Sequence, residues 1–287
     1  MNFSFPSYSV LLCTLLILII WNNVDGSRAM TDDVNKGNTN VLRLHSMDAH
    51  AHHHSSHMNH MKDSEIVFFK MEDLKIGKTM PIFFPRTDPS KSSQLLRKEK
   101  ADTIPFSLEQ LPNILQYFSF SQDSPQAKSM KYTLEQCETK PLEGEVKICA
   151  TSLQSMLDFT HSALGEKIEV LYTSHLNQSK TLVQNYKIVE DPEAIEASNM
   201  VACHKMAYPY AVFYCHYQKS KNRIYRVSLV GENQERVDAI SVCHLDTSMW
   251  SPAHPSFRVL GIEPGTSPVC HFFRADNYVW IPSRSEV

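Results

Sequence analysis

Four Cys-His dipeptides constrain this chain more than any other feature: Cys203-His204, Cys215-His216, Cys243-His244 and Cys270-His271. They are separated by 10, 26 and 25 residues. Cys makes up only 7 of 287 residues, so composition alone does not generate the pattern. Neighbouring side chains on a β-strand point to opposite faces of the sheet. One dipeptide on each of four strands therefore predicts a layer of sulfur on one side and a layer of imidazole on the other. Imidazole is the commonest metal ligand among side chains.

The compartment bears on what the sulfur does. Val10 to Trp21 is an apolar run broken only by Thr14, and Val24-Asp25-Gly26 follows. This reads as a secretory signal at residues 1–26, cleaved after Gly26, with positive charge supplied only by the α-amino group. The run is shorter than the roughly 20 residues a membrane span needs, so no stable membrane anchor is expected. Cleavage removes Cys13 and leaves Cys137, Cys149, Cys203, Cys215, Cys243 and Cys270. An even set in a secreted chain predicts disulfides throughout. Locality suggests Cys137 with Cys149; the other pairings stay open. Asn177-Gln178-Ser179 is a glycosylation acceptor, with Asn177 as the site. A net charge of −3 and a pI near 6.5 argue against a nucleic-acid partner.

Residues 27–65 read as a disordered, His-rich linker. The stretch carries His45, His50, His52, His53, His54, His57 and His60 and lacks the apolar surface to order itself. Such a tract binds metal only opportunistically. Ile66–Phe69 and Met80–Phe84 are short runs of strand type. Three helices are expected next. One begins at Ser107, with Leu108, Leu111, Ile114, Leu115 and Phe118 at helical spacing. A second opens at Ser124-Pro125, and a third at Thr151 or Ser152, ending at Gly165. Strands are then expected at Ile168–Thr173, Leu182–Val189, Met200–Met206, Ala211–Tyr217, Ile224–Val230, Val237–Cys243 and Phe257–Ile262. No sequence repeat is visible. Helices followed by strands give an α+β class, with N-terminal helices packed on a largely antiparallel, disulfide-braced C-terminal sheet.

The Cys-His set admits three chemistries. Thiolates and imidazoles together make a zinc site, but secretory thiols oxidise. Histidines alone make a transition-metal site, which suits copper. Alternatively, the histidines are hydrogen-bonded structural residues behind the disulfides. No Gly-x-Ser-x-Gly elbow and no His-Glu-x-x-His pair is present, so hydrolase motifs are absent. Ordinary imidazoles protonate near pH 6.5 and would release copper below it.

At these gaps the four dipeptides resemble the signature of the BURP domain, a family of secreted plant proteins. Phe83-Phe84-Pro85 resembles its opening. Cys137-Glu138 and Gly144–Leu153 resemble its central block, and Gly265–His271 with Trp280 and Pro282 its C-terminal block. The resemblance places the BURP domain at 83–284, behind a short lead-in segment at 66–82. It implies a setting in the apoplast or cell wall, or in the protein storage vacuole, with wall polysaccharide or wall protein as partner. The family's roles in development, seeds or stress follow. Some members are copper-dependent enzymes that crosslink Tyr or Trp within their own chain. Carried over, that makes His204, His216, His244 and His271 the copper ligands. Cyclising members often carry repeats of a core peptide before the domain, whereas residues 27–80 here hold neither Tyr nor Trp. The chain is more similar to the seed-type members. The expected function is therefore non-enzymatic, with a copper-dependent autocatalytic peptide cyclase as the alternative.

Overall fold

The computed structural model describes residues 67–84, 93–176, 183–218 and 220–283. The expected signal at 1–26, the linker at 27–65 and Asn177 lie outside the described residues. In chain order the elements are β1 (Phe68–Lys70), β2 (Thr79–Phe83), α1 (Lys98–Ala101), α2 (Leu111–Tyr117), α3 (Pro125–Glu138), β3 (Glu145–Ala150) and α4 (Leu153–Leu164). There follow β4 (Ile168–Leu171), β5 (Ser174–His175), β6 (Val183–Ile188), β7 (Glu193–Ile195), β8 (Val201–Met206), β9 (Val212–Gln218), β10 (Asn222–Gly231) and β11 (Arg236–His244). Last come α5 (Pro255–Leu260), β12 (Val269–Phe272) and β13 (Tyr278–Pro282).

These strands make two antiparallel sheets. The smaller runs β3-β9-β8-β13-β4. The larger runs β1-β12-β11-β10-β6-β2, with β5 on β11 and β7 on β10. The sheets share an apolar layer to which the smaller gives Leu171, Ala202, Val279 and Ile281 and the larger Ile224, Ile240 and Val242. The far face of the smaller sheet is covered by α4, whose Met156 and Phe159 pack with Cys203 and Cys215. The far face of the larger sheet holds Cys243 and Cys270 in a cluster with Phe69, Ile82, Phe84, Tyr186 and Leu229. Helices α2 and α3 bury Ile114, Leu115, Met130 and Leu134 against Tyr208 and Tyr210, in the turn between β8 and β9.

Local chemistry explains the boundaries. Ser124 accepts from Ala127 N ahead of Pro125, and Ser152 forms a reciprocal box with Ser155; each cap contributes about 1 kcal/mol. The structure bears out the α+β mixture and the disulfide bracing, and corrects the layout. Helices do not precede one sheet: β1 and β2 come before α1 and join the larger sheet, and β3 lies between α3 and α4. The helix expected from Ser107 starts at Leu111, after a turn in which Gln110 N bonds to Ser107 O. The strand expected at Phe257–Ile262 is helix α5 instead. His254 caps it, Pro255 occupies its first turn and left-handed Gly261 ends it; these caps outweigh the β-branched composition.

Candidate metal centre

Two antiparallel strand pairs carry the four dipeptides: the β8–β9 hairpin, and β11 with β12, which are joined through α5. Cys203 pairs directly across β8–β9 with Cys215, and Cys243 across β11–β12 with Cys270. Both pairs are disulfides, with Cα separations of 4.0 and 3.9 Å, and all four cysteines are fully buried. The third bridge joins Cys137 of α3 to Cys149 of β3. Alternation sends each following histidine to the opposite face. His204 opposes Tyr214 while His216 opposes Ala202, so these two histidines are diagonal neighbours. His244 opposes Val269 while His271 opposes Val242, which repeats the diagonal in the other sheet. Diagonal partners lie within reach of long side chains.

Ala202 and Val242 lie in the layer between the sheets, so the imidazoles do too. The four rings converge there. Centroids of His204 and His216 are 5.4 Å apart, those of His204 and His271 5.9 Å, and those of His244 and His271 5.4 Å. Nε2 of His244 is 3.3 Å from Nε2 of His271. Two nitrogens bound to one tetrahedral ion at 2.0–2.1 Å stand about 3.3 Å apart, so this pair already has the spacing of shared ligands. Among the described residues, no three His, Cys, Asp or Glu side chains are closed around one point.

Electrostatics favour the neutral, ligating form. Burial holds His204 and His244 well below the usual imidazole range, and the neighbouring histidines push the same way. Burial likewise pushes His271 down to about 4. A metal needs an unprotonated nitrogen, and these rings supply one at neutral pH without a proton to displace.

Some of the second ring nitrogens stand beside polar groups that the dipeptide pattern does not announce. His216 Nδ1 lies 3.0 Å from Glu145 Oε1, within ion-pair reach but off the direction of a hydrogen bond. Burial raises the Glu145 carboxyl, but His216, the Leu142 N–H and Tyr214 outweigh it and hold the group below the usual carboxylate range. His204 Nδ1 lies 3.3 Å from Asn277 Nδ2. His271 hydrogen-bonds the Phe272 backbone. His244 Nδ1 is buried without a hydrogen-bond partner. A fifth histidine, His254, was also missed. It sits one ring back, 4.6 Å from Trp250, whose indole is 4.9 Å from His244. Only its place before Pro255 could have marked it, as a helix cap.

The donor set fits copper. It is imidazole-rich, enclosed and free of available thiolate, because every described cysteine is in a disulfide. The mixed thiolate–imidazole zinc site is thereby excluded. Among the described residues no helix is long and apolar enough to cross a membrane.

Comparison with known proteins agrees with this architecture. The family model described as the BURP domain matches residues 67–282. The chain is 43% identical over 222 residues to BURP domain-containing protein BNM2A of Brassica napus, covering 75% of this chain and 79% of that one. It is 40% identical over 234 residues to BURP domain protein USPL1 of Arabidopsis thaliana, covering 77% and 84%. BURP domain protein RD22 of Arabidopsis thaliana is 39% identical over 223 residues, covering 77% of this chain and 57% of that protein. With three-quarters of its length matched and its four Cys-His pairs arranged on two disulfide-locked antiparallel strand pairs, the chain belongs to the BURP domain family.

Proposed function

We propose that this is a secreted plant BURP protein that holds copper at its histidine cluster and acts without catalysis in the cell wall or seed storage compartment. The observation that carries the metal reading is the convergence of four imidazoles between two sheets, each pair fixed by a disulfide on the reverse face. His204, His216, His244 and His271 would hold the ion, and copper would supply a redox-active centre there. Three disulfides fit an oxidising compartment, in agreement with the signal expected at 1–26. The non-enzymatic role follows from the lack of Tyr or Trp in residues 27–80, which leaves no crosslinkable segment ahead of the domain. Wall polysaccharide or wall protein is the partner class.

One observation favours the cyclase reading as the second choice. Tyr214 is 5.3 Å from His216, and Trp250 is 4.9 Å from His244, so both oxidisable ring types stand against the cluster. A crosslink would join two centres with loss of two hydrogens, dioxygen accepting the two electrons and two protons. Incubation with Cu²⁺ and air followed by peptide mass spectrometry separates the two. Unchanged peptide masses are expected; a peptide lighter by two hydrogens at Tyr214, Trp250 or another Tyr or Trp would replace the non-enzymatic reading with the cyclase.

A further inference from the structure

We propose that the open cleft where the chain crosses between the two sheets is a binding site for an acidic oligosaccharide, a short chain of sugars bearing carboxylates. The inference rests on the wall-polysaccharide partner in the reading above and gives that partner a place and a charge. The cleft arises from the strand order. Strand β7 pairs with β10 only as far as Ile195 opposite Ile224. Beyond that pair the chains part. One runs on through 196–200 to β8 in the smaller sheet, and the other leads back from β10 through Ser220 to β9. Two crossings between the sheets thus lie side by side. The cleft they leave has a volume of about 570 Å³ and is lined by residues 194–200 and 220–225 with Gln218 and Leu245. That volume falls in the range of small-ligand sites.

The lining is rich in donors. Lys221, Arg223 and Tyr225 recur at every second residue, so they lie along one side of the chain that enters β10, successive ones about 7 Å apart. Lys221 and Arg223 are exposed, and neither forms an ion pair among the described residues, whereas Arg226 further along pairs with Glu193 and Asp238. Glu196 is the acid of the lining, so the cleft keeps a positive excess in a chain whose net charge is −3. Tyr225 packs against the cluster of Phe69, Phe84 and Tyr186, which holds its ring. Other lining residues hold one another. Asn222 Nδ2 donates to Ser220 O at 3.1 Å, and Ser220 Oγ to Gln218 Oε1 at 3.3 Å. With its oxygen engaged, Gln218 has its NH₂ left to donate.

A ligand that matches this lining is rich in acceptors and negative at more than one point. Phosphate is the poorer match. Phosphate sites draw on helix N-termini and on loops whose backbone N–H groups converge, and this lining contains no glycine and no helix. Carboxylates suit the planar fork of Arg223. The amide of Asn199 and the hydroxyl of Ser198 both give and take hydrogen bonds, as sugar hydroxyls require. Tyr225 adds an aromatic ring with a polar tip at the end of the row. An acidic peptide would supply the charge but not the hydroxyls.

The test is isothermal titration of full-length protein, with EDTA present, against three probes of similar length: an oligouronate, a neutral oligosaccharide and oligoglutamate. The oligouronate should bind, should weaken as salt is raised, and should exceed both other probes in affinity by at least about tenfold. Lys221→Ala and Arg223→Ala together should weaken it by at least about tenfold, the scale of one charged hydrogen bond lost. Both side chains are exposed, so the double variant is expected to fold. Lys131→Ala, a charge change on exposed α3 surface, should move the affinity by less than about twofold. Equal binding of oligoglutamate or of the neutral oligosaccharide overturns the proposal. Oligouronate binding unchanged in the double variant overturns the cleft but leaves a polysaccharide partner held elsewhere. Failure of the wild type to bind either oligosaccharide removes the polysaccharide partner, and the cleft assignment with it.

Discussion

Burial pushes the imidazoles of His271 and His254 down to about 4 each, whereas in the unfolded chain both sit near 6.5. Between these values the unfolded chain binds more protons than the folded one, so stability rises with pH across the window. The contribution is complete above about pH 6.5 and is lost as pH falls toward 4. His204 and His244 act in the same direction, being lowered by burial as well. Metal-free protein should therefore lose stability on acidification from pH 7 to pH 4, by a few kcal/mol on the order-of-magnitude scale of one pKa unit per about 1.4 kcal/mol. Urea midpoints measured across that range test it, and a flat profile would mean that the rings are not buried as neutral bases. The same burial moves the expected loss of copper from about pH 6.5, the figure for ordinary imidazoles, to more acid conditions.

At the scale of the element, each cross-strand disulfide fixes a register, and the register aims a histidine pair. A slip of one residue would turn both imidazoles to the outer face. Removing Cys203 and Cys215 together by substitution with Ala should cost about 3 kcal/mol by the loop-entropy account for a bridge spanning 12 residues, and should also weaken copper binding. Removing Cys137 and Cys149, whose bridge spans the same 12 residues, should cost comparable stability but spare the metal, because that bridge ties helix α3 to strand β3 instead of aiming a histidine. Equal copper affinity in the two double variants would show that the register does not depend on the bridge. These strands were legible because alternation and the dipeptides speak together: Val201–Met206 and Val212–Gln218 fall within a residue of expectation. Elements whose signal lies in contacts were not. Strand β3 has an exposed Val146 and is fixed by pairing with β9 over six residues, and α5 is fixed by its caps. Glu145 and Asn277 were invisible as site residues because pairing across distant strands, not local spacing, brings them to His216 and His204.

Over the whole molecule, a repeat absent from the sequence appears in the strand order. The series β3-β9-β8-β13 in one sheet matches β1-β12-β11-β10 in the other, all neighbours antiparallel, with a disulfide between the central pair and a diagonal histidine pair behind it. In sequence only the Cys-His dipeptides mark this correspondence, since the surrounding residues serve different cores. One consequence concerns how an ion couples to folding. His216 belongs to the smaller sheet, and His244 and His271 to the larger, so an ion shared among them would link the two sheets across their apolar layer. A ligand that binds only the folded state adds about 4 kcal/mol at a thousandfold excess over its Kd, and in a domain of this size each kcal/mol is worth about 2–4 °C in Tm. Saturating copper should therefore raise the melting temperature of the wild type by about 10 °C. His216→Ala should lose most of that rise, although His244 and His271 on the larger sheet remain. Calorimetry with and without Cu²⁺ reads this directly. A full shift retained in His216→Ala would place the ion on the His244–His271 strand pair alone and remove the link between the sheets.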